Sequence, residues 1–587
     1  MEHTLHGKQT LSTVDANLIP YIGNKRRLLP ALDSLFSRYE AHDRPTVFAD
    51  PFAGSGAVSR LARYRGYRIY ASDIEPYAAV LTRAAVAFSP EEADAICSDL
   101  GGMKNAIRHL NNVGDSARHD ANRRGYIAYH YAPERTDSPR IGRERLFYTA
   151  ENARFIDAVR DEIARIAGGA PASRASDLEV LLLAPLLLEA AVHVNTSGVF
   201  KAYHRGYGGH GKDALKRIMS PMRLEEPTLF PGPPAVVRCC DAESLFAGSD
   251  ARALSCDIVY LDPPYNSHQY GSNYFMLNTI TRWDKPEVDE SRSSEGTLVS
   301  KAGIRPDWKD TRSDFCSRRT AVSALRRLLL SVESSVIALS YNTEGLIPFD
   351  VLCELMREHG RLAVETQLYT QYRGGRQSAG RRNHTTEILL VSHAEARLFP
   401  GTGGPAVEID DKAGGAKLVQ CAMQVRAFSR GRFVPERVRA VFGSRDACVE
   451  SGQGTFRFRG GYTIDEMPDL KDLLSLPVKE LEYLRDRIAS CQCVDNAEEL
   501  SVVLQFIDGN AEVAGFRPIE LEKRFLMLLR KLAHPRYIHI YERFLRAFVG
   551  KADRAMRHER VLAKLEAMVS GRLGDTARRA VSHEPTD

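Results

Sequence analysis

The sequence predicts an α/β fold, a Rossmann-like and mostly parallel sheet, and three stretches carry that prediction. The apolar run Ile258-Val259-Tyr260-Leu261 reads as a buried strand and runs into Asp262-Pro263-Pro264-Tyr265, a rigid loop at the end of a strand where parallel sheets place their ligands. Val47-Phe48-Ala49 reads as a second short strand, turned by Asp50-Pro51-Phe52-Ala53-Gly54-Ser55-Gly56 into a helix that begins near Ala57. Tyr67 to Ala71 reads as a third, with the acidic Asp73 just beyond its tip.

Residues 1–16 are polar and belong to no expected element. Tyr21 to Pro30 supplies an aromatic, a glycine turn and a basic run, then the spacing of Leu28, Leu29, Leu32 and Leu35 predicts a helix. In the Asp50–Gly56 turn the glycines let the backbone pass close to a ligand, and the turn can present N–H groups to a carboxylate. Dinucleotide and nucleotide sites share this feature, so alone it fixes no ligand. Asp73, with Glu75 as a second candidate, is placed to accept hydrogen bonds from a ribose diol.

From about Ser89 to Arg238 the alternation of strands and helices stops. This stretch holds Arg118, Arg123, Arg124, Tyr126, Tyr129, Tyr131, Arg135, Arg140, Arg143, Arg145 and Tyr148. Arginine forks suit guanine edges and phosphates, and tyrosines suit bases and sugars; a solvated basic loop has the same composition. An apolar helix is expected around Leu178 to Val194. Asn195 to Lys212 follows, with Lys201, His204, Arg205 and His210 but no metal-ligand spacing, and reads as a DNA-backbone contact or a polar loop. Val236-Val237-Arg238 is a further strand, and Asp241 beyond it is either a ligand contact or the cap of a helix over Ala242 to Phe246.

Beyond Tyr265, the amides and tyrosines of Asn266 to Tyr274 are placed to close over an extruded base or wedge into a duplex, or else to pack as a loop. Glu287 to Asp314 has few core positions and suits a loop that orders on DNA. Arg318, Arg319, Arg326 and Arg327 flank a helix, and Val336 to Ser340 makes a strand. Arg361 to Thr370 and Thr386 to Val391 form a last pair of strands around the basic, glycine-rich Tyr372 to Arg382, whose tip is placed to touch phosphate. Phe399 to Gly415 is glycine-rich and marks a domain boundary. Helical spacing returns in Leu470 to Ile488 and Leu521 to Leu532. Arg543 to Arg572 interleaves apolar and basic residues, so the C-terminal part reads as a helical accessory domain with no catalytic constellation.

At 587 residues the chain exceeds one core and implies at least two globular units. Its 43% hydrophobic and 26% charged residues are ordinary for a folded protein, and a net charge of +5 permits a polyanionic partner without requiring one. Ten scattered cysteines lack zinc or redox spacing and fit reduced thiols. The most apolar run, Leu181 to Val194, is too short for a bilayer and carries Pro185 and Glu189. The N-terminus lacks the apolar core of a signal peptide, so a cytoplasmic protein is expected.

Two prolines in succession remove two N–H donors, so the Asp262–Tyr265 loop offers mainly acceptors, the Asp262 carboxylate and the Pro263 carbonyl. A substrate that brings N–H groups suits it, and the exocyclic amine of a flipped nucleobase brings two together with a ring for Tyr265 to stack on. With Tyr21-Ile22-Gly23-Asn24-Lys25, Asp50–Gly56, Ala71-Ser72-Asp73-Ile74-Glu75 and Asp262–Tyr265 in that order, the chain resembles the D12 class of adenine-specific DNA methyltransferases, the DNA adenine methylase family, over roughly residues 15–395.

The resemblance implies a class I S-adenosylmethionine-dependent methyltransferase sheet with an inserted target-recognition region and a mainly helical C-terminal domain. The core then falls into residues 1–88, which bind the donor, and 236–398, which carry the catalytic loop; 89–235 is the insertion, 399–415 a linker and 416–587 the accessory domain. It implies that S-adenosyl-L-methionine is held by Tyr21, Lys25, Asp50, Phe52, Gly54, Gly56, Asp73, Asp241 and Asp262. Asp262, Pro263, Pro264 and Tyr265 are the expected catalytic residues. Arg123, Arg124, Arg140, Arg143, Lys201, Tyr270 and Asn273 are the expected contacts to double-stranded DNA. No metal and no covalent nucleophile is required, because the donor is already activated. A companion restriction endonuclease is a partner the family allows. Alternatives are a cytosine-N4 DNA methyltransferase, which needs the same acceptor loop, an RNA or protein-glutamine methylase, disfavoured by the size of the basic insertion, and an inactive DNA-binding module of the same fold, which the intact loop argues against.

Overall fold

β-Branched and aromatic residues at short, regular intervals build the sheet. Its strands are Val47–Asp50 (β1), Arg68–Asp73 (β2), Val236–Cys239 (β3), Cys256–Leu261 (β4), Ser334–Asn342 (β5), Arg361–Tyr369 (β6) and Thr385–His393 (β7). The structure, a computed structural model, describes residues 11–15, 18–120, 122–209, 214–247, 255–342, 345–369, 385–393, 407–408, 415–451 and 454–508, and single positions between 521 and 528. The seven strands run in the order β3-β2-β1-β4-β5-β7-β6. β1 pairs in parallel with both β2 and β4, β2 with β3 and β4 with β5, while β5 and β7 are antiparallel.

Register places Ile69, Phe48, Ile258 and Val336 in one row across four strands, all buried in a single apolar cluster. Phe36 of the helix Leu29–Tyr39 meets that row edge-on at Phe48, with ring centroids 5.2 Å apart. The chain winds one way from β1 to β2 and the other way from β1 to β4, so the switch point lies where β1 and β4 end. Those ends carry Asp50 and Asp262, the position at which doubly wound sheets bind ligands.

The inserted stretch is a helical layer whose long members are Met103–Arg118, Ala150–Gly169 and Ala172–Val192. Its arginines and tyrosines divide in two. Tyr131 and Tyr148 are fully buried, and the Tyr148 hydroxyl donates to the Ala190 carbonyl at 3.1 Å. Arg118 is buried and donates to the Met222 carbonyl at 2.7 Å. Buried Arg145 pairs with Glu290 at 2.6 Å and donates to the carbonyls of Asp289 and Ser300. These groups hold the fold rather than DNA, which corrects the reading of the whole stretch as a basic reading surface. Arg145 and the Tyr131 hydroxyl, which donates to Gly303 O at 2.9 Å, also pin the loop that sequence composition suggested would order only on DNA.

Two of the long helices cross closely at Gly114, where a Cβ would stand 2.2 Å from a Phe155 ring carbon. Gly114→Ala is therefore expected to lower unfolding free energy by about 1–3 kcal/mol, the usual penalty for overpacking a rigid core. A thermal melt checks this, and an unchanged midpoint would contradict the close crossing. The apolar run expected to be a buried helix lies in Ala172–Val192, with Pro185 inside it. Among the described residues no helix is long and apolar enough to cross a membrane.

The chain divides into two compact units, Met1–Gln367 with Glu387–Gly403 and Leu368–Thr386 with Gly404–Asp587. Within the second, helices Gly415–Ser429, Pro435–Phe442, Val478–Cys491 and Asn496–Asp508 accompany a three-stranded antiparallel sheet of Cys448–Ser451, Gly454–Arg459 and Thr463–Glu466. Phe456 and Phe458 turn inward on the middle strand and Arg457 turns outward, the alternation of a half-buried sheet. The helix expected over Leu470 to Ile488 is broken into Leu470–Leu474 and Val478–Cys491, because Pro477 cannot continue the first and caps the second. Residues 372–382 and 543–572, and most of 399–415 and 521–532, lie outside the described residues.

Candidate active site

The motif residues converge on one cavity of about 400 Å³, of the size that takes a nucleoside-sized ligand. Tyr21 to Lys25, Asp50 to Ser55, Asp73 to Glu75, Asp241 to Glu243 and Asp262 to Tyr265 all line it. Four of these stretches come from separate parts of the chain because each lies at or just past the end of a strand, and the parallel sheet puts those ends side by side; Tyr21 to Lys25 precedes the first strand and leads into the helix Leu29–Tyr39.

The glycine turn owes its shape to left-handed backbone at Gly54 (φ 53°) and Gly56 (φ 75°). At Gly54 a Cβ would approach Tyr21 Cε1 to 3.1 Å, so the Tyr21 ring seats directly on the turn. Three of its N–H groups are already taken: Ala53 donates to Ser72 O, Gly54 to Asp73 Oδ2 at 2.8 Å and Gly56 to Ala53 O. The expected cradle of free N–H donors is corrected accordingly. Asp73 also receives the Glu75 N–H at 2.9 Å, so it organises the turn while keeping further lone pairs toward the cavity.

Tyr21 stacks on Tyr270 (5.4 Å) and Tyr274 (5.0 Å), and the Tyr274 hydroxyl receives the Ile22 N–H at 2.8 Å. Lys25, only 4% exposed, places Nζ 2.9 Å from Asp262 Oδ1 and 5.6 Å from the centre of the Tyr265 ring. The first motif thus grips the catalytic loop. Asp241 caps its helix, accepting from Ser244 N at 2.9 Å and from Ser244 Oγ at 2.7 Å, and lines the cavity as well.

The lining carries seven carboxylates, Asp50, Asp73, Glu75, Asp241, Glu243, Asp262 and Asp314, against three cationic side chains, Lys25, Arg312 and Arg327. That excess, the aromatic floor and the volume fit a nucleoside carrying a sulfonium cation. Burial pushes Asp50 up to about 7, partly offset by the Ser59 hydroxyl that donates to it at 2.6 Å. Burial raises Asp73 to about 6 and Glu75 to about 7, the latter against the 2.6 Å bond from Asn278 Nδ2. An acid whose folded value lies above its unfolded one binds extra protons in the native state. Its contribution to stability is therefore lost as pH rises from about 4 through about 7. Asp50→Asn is expected to match the wild type near pH 5 and to exceed it by roughly 2 kcal/mol at pH 8. A wild-type-to-variant difference that is flat with pH would refute this.

The expected DNA contacts separate by exposure. Arg123, Arg124, Arg143 and Lys201 are exposed. Arg140 is exposed too, but its charge is matched by Glu134 and Glu144. Lys201 lies on a loop closed by the antiparallel Thr196–Tyr203 bridge and tied to the segment after the catalytic loop by Phe200 N–H donating to Asn273 O at 2.7 Å. Asn273, 3% exposed, is internal and cannot reach a duplex from there. Tyr270 is drawn into the Tyr21 stack on the cavity wall.

The segment Thr311 to Phe315 also lines the cavity, while Asn278 and Tyr274 hold the lining residues Glu75 and Ile22; Asn278 and Phe315 were not singled out in the sequence. Asn278 and Tyr274 sit in apolar helical surroundings, and the segment lies in a polar loop. Among the described residues no group of three or more His, Cys, Asp or Glu side chains is gathered as a metal site.

Residues 21–299 match the family described as D12 class N6 adenine-specific DNA methyltransferase. The chain is 30% identical over 367 residues to the type II methyltransferase M.NlaIII of Neisseria lactamica, covering 62% of this chain and 95% of that protein. It is 27% identical over 381 residues to the type II methyltransferase M.CviAII of Paramecium bursaria Chlorella virus 1, covering 65% and 99%. With the type II methyltransferase M.FokI of Planomicrobium okeanokoites it shares 28% over 345 residues, 58% of this chain and 47% of that protein.

Proposed function

The chain belongs to the D12 class of N6 adenine-specific DNA methyltransferases, and from that premise we propose that its cavity holds S-adenosyl-L-methionine beside an adenine turned out of double-stranded DNA. As a member it is an enzyme that transfers a methyl group to N6 of adenine in DNA. The observation that carries the proposal is the convergence of Tyr21–Lys25, Asp50–Ser55 and Asp262–Tyr265 on one cavity, with Lys25 Nζ 2.9 Å from Asp262 Oδ1.

S-adenosyl-L-methionine supplies a methyl group already activated by its sulfonium, so the protein's work is to position and deprotonate. Asp262 and the Pro263 carbonyl accept the two N6 hydrogens, which draws the nitrogen lone pair out of conjugation with the ring. Tyr265 stacks on the base and holds the attack geometry. Lys25, 2.9 Å from Asp262, fixes its rotamer, so that a carboxylate oxygen stands ready for the proton that N6 sheds. Asp73 and Asp241 offer acceptors to the nucleoside part of the donor, and Tyr21 and Phe52 offer apolar surface. Arg123, Arg124, Arg143 and Lys201 contact phosphates of the flanking duplex.

The relatives' names support a role as the modification half of a restriction-modification system. We assign the matching endonuclease to a separate chain and the activity to the cytoplasm. The test is transfer of labelled methyl from S-adenosylmethionine to unmethylated duplex DNA, followed by digestion to nucleosides. Label in N6-methyladenine is expected. Label in N4-methylcytosine would replace the base, and donor binding without label on any DNA would overturn the proposal.

A further inference from the structure

Ser291 to Val299, a polar stretch that belongs to none of the motifs, folds as a small hairpin. Arg292 and Leu298 form an antiparallel bridge, Val299 N–H donates to Ser291 O at 3.0 Å, and Ser293 N–H donates to Thr297 O at 2.8 Å around a turn with Gly296 at φ 77°. Buried Arg145 clamps its base by donating to the carbonyls of Asp289 and Ser300, one on each leg. The loop Arg140 to Glu144 lies alongside. Leu298 N–H donates to Gly142 O at 2.8 Å, and Arg292 Nη1 donates to the carbonyls of Arg143 (3.2 Å) and Gly296 (3.3 Å). The Gly142–Leu298 bond sets Ile141 and Val299 on neighbouring backbone, and these two β-branched side chains are 52% and 60% exposed.

Charge divides the arginines of this edge. Arg135 is paired with Asp137, and Arg140 with Glu134 and Glu144. Arg143 and Arg292 are exposed and enter no ion pair among the described residues, and neither does Glu295 at the turn. Carbonyls orient the Arg292 fork without neutralising it. The edge also joins the framework of the cavity. Glu144 O accepts the Tyr203 hydroxyl at 3.3 Å, and the loop that ends at Tyr203 donates Phe200 N–H to Asn273 O, just past the catalytic loop. On the other side Tyr131 holds Gly303 O, and the chain runs on to line the cavity at Thr311. One duplex can therefore meet both. A guanidinium fork suits the acceptor pair of a guanine edge and apolar groups suit the thymine methyl, and a loop already clamped in place pays little to order on binding. We propose that the paired loops Arg140–Glu144 and Ser291–Val299 read sequence in the duplex beside the target adenine, with Arg292 as the fork at a guanine edge and Ile141 and Val299 against base-edge methyl groups. This rests on the reading of duplex DNA as substrate, and it deepens that reading by placing part of the recognition surface outside residues 89–235, in the segment that follows the catalytic loop.

The test maps methylated adenines by single-molecule sequencing after the full chain has acted on DNA free of N6-methyladenine, and then compares kcat/KM on duplexes carrying the wild-type motif or a single base-pair change beside the target. Arg292→Ala and the double variant Ile141→Ser/Val299→Ser should still methylate adenine but lose about tenfold or more of the discrimination at a flanking position, the scale of one base-edge contact. Arg292→Lys keeps the charge without the fork, so it should hold duplex affinity and lose discrimination. Arg135→Ala, whose arginine is already paired, should keep both. Discrimination within about twofold of wild type in Arg292→Ala and the double variant would overturn the proposal, and so would an equal loss on every duplex, which marks a merely structural role. Wild-type discrimination in Arg292→Lys would move Arg292 from a base to a phosphate and overturn its assignment. Failure of the wild type to methylate any adenine would overturn the substrate reading and the recognition edge together.

Discussion

Asp262→Ala is expected to lower methyl transfer by roughly 10³-fold or more while leaving S-adenosylhomocysteine affinity within a few-fold of wild type. The carboxylate stands at the end of β4, where it meets Lys25 Nζ and lines the same cavity as Tyr265. In the proposed reaction it is the acceptor that separates a reactive N6 from an amide-like one. The neighbouring Pro263 cannot replace it, since a carbonyl accepts a hydrogen bond but does not take up the departing proton. Asp262→Asn sharpens the experiment. It keeps the volume and one acceptor oxygen but turns an N–H₂ toward Lys25 or the substrate, and a loss nearly as deep as that of alanine is expected. Single-turnover transfer with saturating donor separates this from a binding defect. Either variant retaining more than about a tenth of wild-type activity would remove Asp262 from the chemistry.

What could be read from the sequence follows from how local each feature is. β1 and β4, with Asp50 and Asp262 at their ends, are short apolar runs that pass straight into turn residues, so strand, loop and ligand position are written in adjacent letters. The same holds for the glycine turn, although composition could not say that the N–H groups of Ala53, Gly54 and Gly56 would be used up inside the protein. The insertion shows the opposite case. Arg145 and Arg143 are two positions apart and chemically alike, yet one is buried against Glu290 and two carbonyls while the other is exposed. A long cationic side chain is sorted by the acceptors that other segments bring to it, and those lie about 145 residues away for Glu290. Phe315 was illegible for the same reason, since its partner Phe52 is in another motif and its own segment reads as polar loop.

Lys25→Met tests the grip of the first motif on the catalytic loop. Methionine keeps the stem that packs beside Tyr265 and removes the ammonium, so donor and DNA affinity should change little. Transfer should fall about 10- to 100-fold, chiefly in kcat, because Asp262 loses the partner that holds it in place. Stability gives a second, independent readout. Asp262→Ala takes the carboxylate from a lysine that is 4% exposed, and should destabilise the chain by about 1–3 kcal/mol; a fully buried pair would lose more, but Asp262 keeps 18% of its side-chain surface exposed. Adding Lys25→Met to Asp262→Ala should then recover stability, since the buried ammonium that had faced Asp262 is removed as well. Activity and stability would move in opposite directions in the double variant, inactive yet more stable than Asp262→Ala alone. A double variant less stable than either single one would show instead that Lys25 acts mainly through its packed stem, and its role in setting Asp262 would have to be abandoned.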